Sequence, residues 1–207
     1  PRMAMTRRTA LSAPEPTHPL AAFAAPGHHG AAGASPLRVS LPRRDIVQVM
    51  VRRGQDAALA AATMQAFGMA PPGPGRSATG TEVTAIWIQP GAWMLTAQRG
   101  QEGALAARAA AAFVGIAAVE DQSHGRVTIA VAGPAARAAL ARGCRIDLHP
   151  RAFGPGRAAN TQIAQIGCLV HQADDAPTFE LTVFATLAEP FFHWLLEAGA
   201  GDGLVIA

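Results

Sequence analysis

Apolar positions along the chain fall into two recurring patterns, short β-branched runs and longer stretches with helical spacing. Residues 45–51 read Asp-Ile-Val-Gln-Val-Met-Val and predict a strand. Residues 55–67 place Leu59, Thr63, Ala66 and Phe67 on one helical face, and Gly68 follows as a natural left-handed stop. The Pro/Gly-rich stretch 71–80 reads as a loop. Strands at 82–88 and 92–96 flank the turn Gln89-Pro90-Gly91 and predict a hairpin. An Ala-rich helix at 102–113 and a short strand at 116–119 complete a β-α-β-β-α-β order, that of a ferredoxin-like unit.

The pattern then recurs. Residues 126–132 alternate, with Val127, Ile129 and Val131 on one face. Gly133-Pro134 opens a helix that runs to Arg142 and ends at Gly143. Strands at 161–171 and 178–184 surround a polar turn at 173–177. The last helix carries Phe191, Trp194, Leu195 and Ala198 on one face and stops at Gly199. Its start has two readings, a capping box from Thr186 to Glu189 or a later start with Pro190 in the first turn. Residues 204–206 read as a final short strand. The expected fold is α+β: two β-α-β-β-α-β halves, at about 37–120 and 121–207, packed together.

Composition narrows the function. Half of the 207 residues are hydrophobic and only 15% are charged, where about a quarter is usual. That balance suits a chain that buries surface against partners, and equally an Ala-rich sequence with no such role. All 17 basic residues are arginine, and there is no lysine or tyrosine. This excludes a lysine Schiff base, a Walker phosphate loop at Pro72-Gly73-Pro74-Gly75-Arg76 and a tyrosine acid. The net charge of +3 is spread along the chain with few aromatics interleaved, so nucleic-acid binding is not indicated. Cys144 and Cys168 are too few for a disulfide framework, which points to a cytoplasmic protein with reduced thiols. No uninterrupted apolar run reaches the ~18 residues of a membrane span. Residues 1–36 are rich in Ala and Pro and poor in acids, as in a transit segment or a flexible arm that orders against a partner; the arm is the reading adopted.

Several residues invite a chemical reading. Asp121, Ser123 and His124 suggest a hydrolase, but a serine and its own neighbouring histidine point to opposite sides of an extended segment. A turn or capping role for Asp121 and Ser123 is expected instead. Cys144 with Asp147 and His149 offers a thiol or metal set that lacks the further ligand zinc requires. His18, His28 and His29 lie in the arm, which does not preorganise ligands. Cys168 sits in an apolar strand and reads as an inert small hydrophobe. Trp87 and Trp93 are expected in core packing, with stacking on a flat ring such as a pterin as the alternative. No catalytic, cofactor-binding or metal-binding residue is assigned.

The second half carries Asp121-Gln122-Ser123-His124-Gly125-Arg126, then Gly133-Pro134-Ala135-Ala136-Arg137 with Leu140. Gly143-Cys144-Arg145-Ile146-Asp147-Leu148-His149-Pro150-Arg151-Ala152-Phe153 and Phe192-His193-Trp194-Leu195-Leu196 follow. With Trp87-Ile88-Gln89-Pro90-Gly91-Ala92-Trp93-Met94-Leu95, these runs resemble the gamma subunits of heterotetrameric sarcosine oxidases, over roughly residues 37–199. That family resembles in turn the folate-binding aminomethyltransferases, including the glycine-cleavage T-protein, with two intertwined halves. The resemblance implies a non-catalytic subunit that supports assembly with alpha, beta and delta subunits. It implies FAD, FMN, NAD, tetrahydrofolate and zinc on those other chains and none on this one. The equivalent subunit of an N-methyl amino-acid dehydrogenase and a stand-alone folate-binding protein or aminomethyltransferase are the alternatives. No carboxylate here stands in a context matching the T-protein's catalytic acid.

The segment 143–157 is long for a helix-to-strand connection and mixes arginines with an aromatic residue. Arg145, Asp147, His149, Arg151 and Phe153 are therefore expected to contact a larger subunit, the alternative being a loop packed on its own domain with Leu148 and Phe153 buried.

Overall fold

A computed structural model describes residues 18–32 and 36–207 of the chain. The expected arm falls partly outside these residues, at 1–17 and 33–35. The first half begins with β3 (Arg44–Val51) and α1 (Asp56–Phe67). α1 buries Leu59, Thr63 and Phe67, the spacing read from the sequence. It ends where Gly68 turns left-handed (φ 72°) and donates its N–H to the Met64 carbonyl. β5 (Val83–Gln89) and β6 (Ala92–Gln98) form the expected hairpin, followed by α2 (Ala104–Ala112) and β7 (Ala117–Asp121). A short edge strand, β4 (Ser77–Thr79), emerges from the Pro/Gly-rich stretch. The five strands lie in the order β4-β5-β6-β3-β7.

The second half contains β8 (Arg126–Ala132), α3 (Ala136–Ala141), β9 (Ala158–Ile163), β10 (Ile166–Gln172), β11 (Thr178–Phe184), α4 (Ala188–Gly199) and β12 (Leu204–Ile206). Two strands from the start of the chain, β1 (Gly27–His29) and β2 (Leu37–Ser40), complete its seven-stranded sheet, ordered β1-β12-β2-β8-β11-β10-β9. The boundary in space thus differs from the expected boundary in sequence. β2 lies between β12 and β8, parallel to β12 and antiparallel to β8, so the opening of the chain is built into the second half. Residues 18–32, assigned from sequence to the arm, are folded here: Leu20 is fully buried and β1 pairs with β12. Burial of Leu20, Leu37 and Val39 in the shared core outweighs the Ala/Pro composition around them.

The layers run helix, sheet, sheet, helix. α1 and α2 cover one face of the five-stranded sheet through Leu59, Phe67, Leu105 and Phe113. α3 and α4 cover one face of the larger sheet, where Phe191, Phe192 and Leu195 meet Ile129, Phe179 and Leu181. The two remaining faces meet through Ile46, Ile86 and Met94 on one side and Ala158 and Leu169 on the other. α4 follows a 3-10 turn at Ala185–Leu187; Pro190 sits in its first turn and Leu187, its N-cap, makes no side-chain bond.

One strand boundary departs from expectation. Residues 161–171 form not one strand but a hairpin of β9 and β10, joined by Ala164 and Gln165 at φ 49° and 65°. Two positive φ angles in succession are the mark of a tight hairpin turn that favours Asn-Gly, so neither residue announces it. Replacing Ala164-Gln165 by Asn-Gly should relieve a strain of about 1 kcal/mol and raise the melting temperature. Differential scanning calorimetry of the two chains checks this; a lower melting temperature would show that the turn residues serve packing.

Candidate functional site

The segment 143–157 packs beside Trp194 of α4 and against the helix-covered core of the large sheet. Gly143 makes this possible: a Cβ there would stand 2.5 Å from Cζ2 of Trp194. Leu148 and Phe153 point inward and are each only 4% exposed. Phe153 stacks on Phe179, with ring centroids 6.4 Å apart. Arg137 fastens the loop, its Nη1 donating to the Leu148 carbonyl and, at 2.9 Å, to the Phe153 carbonyl. Its Nη2 donates to Gln172 Oε1 at 3.0 Å, and its guanidinium lies 5.1 Å from the centre of the Phe179 ring.

Phe153 is therefore corrected from a partner anchor to a core residue, because this cavity in its own domain already fills with the ring. Arg145, Asp147, His149 and Arg151 remain exposed. Asp147 Oδ1 accepts the His149 N–H at 2.8 Å, and His149 Nδ1 accepts the Arg151 N–H at 3.2 Å. Two polar side chains thereby hold the turn that presents the two arginines.

A polar network that the sequence did not suggest crosses between the sheets. Ser77 Oγ on β4 lies 2.9 Å from His171 Nε2 on β10. His171 Nδ1 lies 3.4 Å from Glu180 Oε2 on β11, and Arg44 Nη2 on β3 donates to Glu180 Oε1. Burial by itself would raise the Glu180 pKa; the hydrogen bond from His171 and the charge of Arg44 outweigh it and hold the carboxyl below its ordinary range. The order Ser-His-Glu is that of an acyl-transfer relay, and a cleft of about 310 Å³ reaches it. The backbone donors beside the serine are spent, however. Ser77 N–H bonds the Gly156 carbonyl, and Gly156 N–H bonds the Gln172 carbonyl, both at 2.9 Å. With those two donors spent, the network ties the two sheets together as a clamp.

The remaining candidates take structural places. Asp121 Oδ1 caps the Ser123 N–H at 2.9 Å, and Ser123 Oγ exchanges hydrogen bonds with the backbone of Ile46. His124 points elsewhere, 2.9 Å from Glu102 and 3.2 Å from Arg99. Burial raises the thiol pKa of Cys144 and Cys168, so neither is a ready thiolate at neutral pH. Trp93 packs against the small-sheet core and donates Nε1–H to the Pro72 carbonyl at 2.9 Å; Trp87 is its cross-strand neighbour. His18 accepts the Leu20 N–H and His29 bonds the Ala25 carbonyl, while His28 is exposed. Among the described residues no group of three or more His, Cys, Asp or Glu side chains is arranged to hold a metal ion. No helix among them is long and apolar enough to cross a membrane.

Residues 52–201 match the sequence model described as "Sarcosine oxidase, gamma subunit family". The chain belongs to the sarcosine oxidase gamma subunit family. A family member from Arthrobacter sp, sarcosine oxidase subunit gamma, is 37% identical over 155 residues, 73% of this chain and 74% of its own. The subunit gamma of Corynebacterium sp. (strain U-96) is 32% identical over 148 residues, 69% of this chain and 67% of its own. Among solved structures, a chain of the heterotetrameric sarcosine oxidase from Corynebacterium sp. U-96, in complex with pyrrole 2-carboxylate, superposes with a TM-score of 0.77 at 28% identity. The superposition covers 90% of this chain and 96% of that one. The glycine cleavage system aminomethyltransferase T from Bartonella henselae shares the fold, with a TM-score of 0.62 at 17% identity over 83% of this chain and 47% of that one. The gamma-family residues read from sequence thus fall on a T-protein-like frame of two interlocked halves.

Proposed function

We propose that this chain is the gamma subunit of a heterotetrameric sarcosine oxidase and serves assembly rather than catalysis. The observation that carries the reading is the match, over 90% of this chain and 96% of the other, to a chain of a solved heterotetrameric sarcosine oxidase. Alpha, beta and delta subunits are the proposed partners. The flavins, NAD, tetrahydrofolate and zinc of the complex reside on those chains, and the assembly is cytoplasmic. Three features support a structural role here: the Ser77–His171 pair is consumed in an inter-sheet clamp, both thiols are raised by burial, and Asp121 and Ser123 are spent on a turn.

The outward side of 143–157 is the proposed docking surface, with Arg145 and Arg151 meeting acidic groups of a larger subunit and Asp147 and His149 fixing their presentation. Charge reversal tests this together with the assembly role. Coexpressed with the large subunits, Arg145→Glu/Arg151→Glu should copurify about tenfold less well, as two lost ion pairs at an interface imply. Its melting temperature should stay within about 2 °C of the unaltered chain, since the exchanged side chains are exposed. Undiminished copurification would remove this loop from the interface.

A further inference from the structure

Where β3, β6 and β8 converge below the folded opening segment, six nitrogen-bearing side chains surround a small cavity: His18, Arg43, Arg44, Arg99, His124 and Arg126. The cavity measures about 80 Å³, room for one oxyanion group and too small for a ring. It borders a wider cleft of about 550 Å³ with which it shares Pro42, Arg43, Arg44 and Arg99. No acidic residue among those described lines either space.

Neighbouring carboxylates are engaged elsewhere, Asp45 with the Gly100 N–H and Asp121 with the Ser123 N–H. Glu180 holds Arg44 and His171, Glu102 holds His124, and Glu120 acts on Arg126 only as a weaker counterweight to burial. Arg44 and Arg126 each keep an Nε–H that is shielded from water and has no acceptor among the described residues. Arg126 is further held in place by the Phe184 ring, 4.3 Å from its guanidinium carbon. His18 accepts the Leu20 N–H through Nδ1, and burial followed by the charge of Arg43 lowers its pKa. It therefore stays neutral at pH 7 and carries its proton on Nε2 as a further donor.

Four arginines converge on a cavity that no described acidic residue lines, and the shielded Nε–H groups of Arg44 and Arg126 have no acceptor among the described residues, a setting that favours an anion. Guanidinium forks match carboxylate and phosphate oxygens in shape as well as charge. The geometry points to this cavity as a binding site for the terminal oxyanion, phosphate or carboxylate, of a small molecule whose remainder lies along the open cleft. None of its lining residues comes from the loop at 143–157.

The experiment titrates the full chain by isothermal calorimetry with inorganic phosphate and, in a parallel arm, with succinate. The expected result is saturable binding of one equivalent of at least one probe, with a Kd below about 1 mM. The stronger arm tells whether the head group is phosphate or carboxylate. Arg126→Gln and Arg99→Gln should each weaken that binding at least about tenfold, while Arg151→Gln, far along the sequence in the docking loop, should leave it unchanged. Arg99 is only partly buried, so its variant keeps the test open if Arg126→Gln fails to fold. Absence of saturation by either probe at 10-fold above that range (about 10 mM), or equal loss in all three variants, would overturn the assignment.

Discussion

Replacing Glu180 by alanine should lower the stability of the chain by about 3 kcal/mol, the lower end of what breaking a buried ion pair costs. The lower end applies because the Arg44 side chain is 29% exposed whereas that of Glu180 is 12% exposed. The loss has two parts. Arg44 and His171 lose their common acceptor between the sheets, and the Ser77–His171 bond loses the group that orients its imidazole. The pH dependence identifies the cause. The Glu180 pKa is depressed in the folded chain, so its contribution is complete above the ordinary glutamate value of about 4.3 and is lost as pH falls through the lower folded value. Urea unfolding at pH 7 and at pH 3.5 should therefore show a smaller difference in the Glu180→Ala chain than in the unaltered one. An equal acid sensitivity in both would mean that the clamp does not depend on this carboxylate.

Phe153→Ala should cost about 3–5 kcal/mol, the range for emptying a buried aromatic site. The ring is 4% exposed, stacks on Phe179 and belongs to the large-sheet core. The prediction separates two sides of one loop: the inward phenyl is needed for folding and the outward Arg151 for docking. Urea midpoints should drop sharply for Phe153→Ala and barely for Arg151→Glu, with the denaturant slope unchanged in both. A loss below about 1 kcal/mol for the phenylalanine would return it to the surface.

The first half was legible because its signals are local. Gly68 and Gly91 occupy left-handed turns that glycine favours, and Leu59, Thr63 and Phe67 repeat at helical spacing. What escaped reading either lacks the usual local residue signal or depends on contacts distant in sequence. β4 is an edge strand whose partner, β5, begins only after a further turn, and its Pro/Gly surroundings mask it. The β9–β10 turn uses alanine and glutamine where glycine or asparagine would have signalled it. Glu180 alternates with Phe179 and Leu181, which in a single sheet marks a solvent-facing residue; the second sheet packed over it makes it a buried acceptor. Ser77 and His171 are 94 positions apart, a separation without a motif. In 143–157 the composition marked the loop as unusual, yet only the Arg137 bonds decide which side faces inward.

The measurement that bears most directly on the central claim is native mass spectrometry after coexpression of this chain with the large and small subunits of its proposed complex. The account predicts one copy of this chain in a four-subunit assembly that carries flavin, with the flavin remaining on the other chains when this one is dissociated. A flavin-bearing assembly that forms with unchanged mass and stability in the absence of this chain would contradict it.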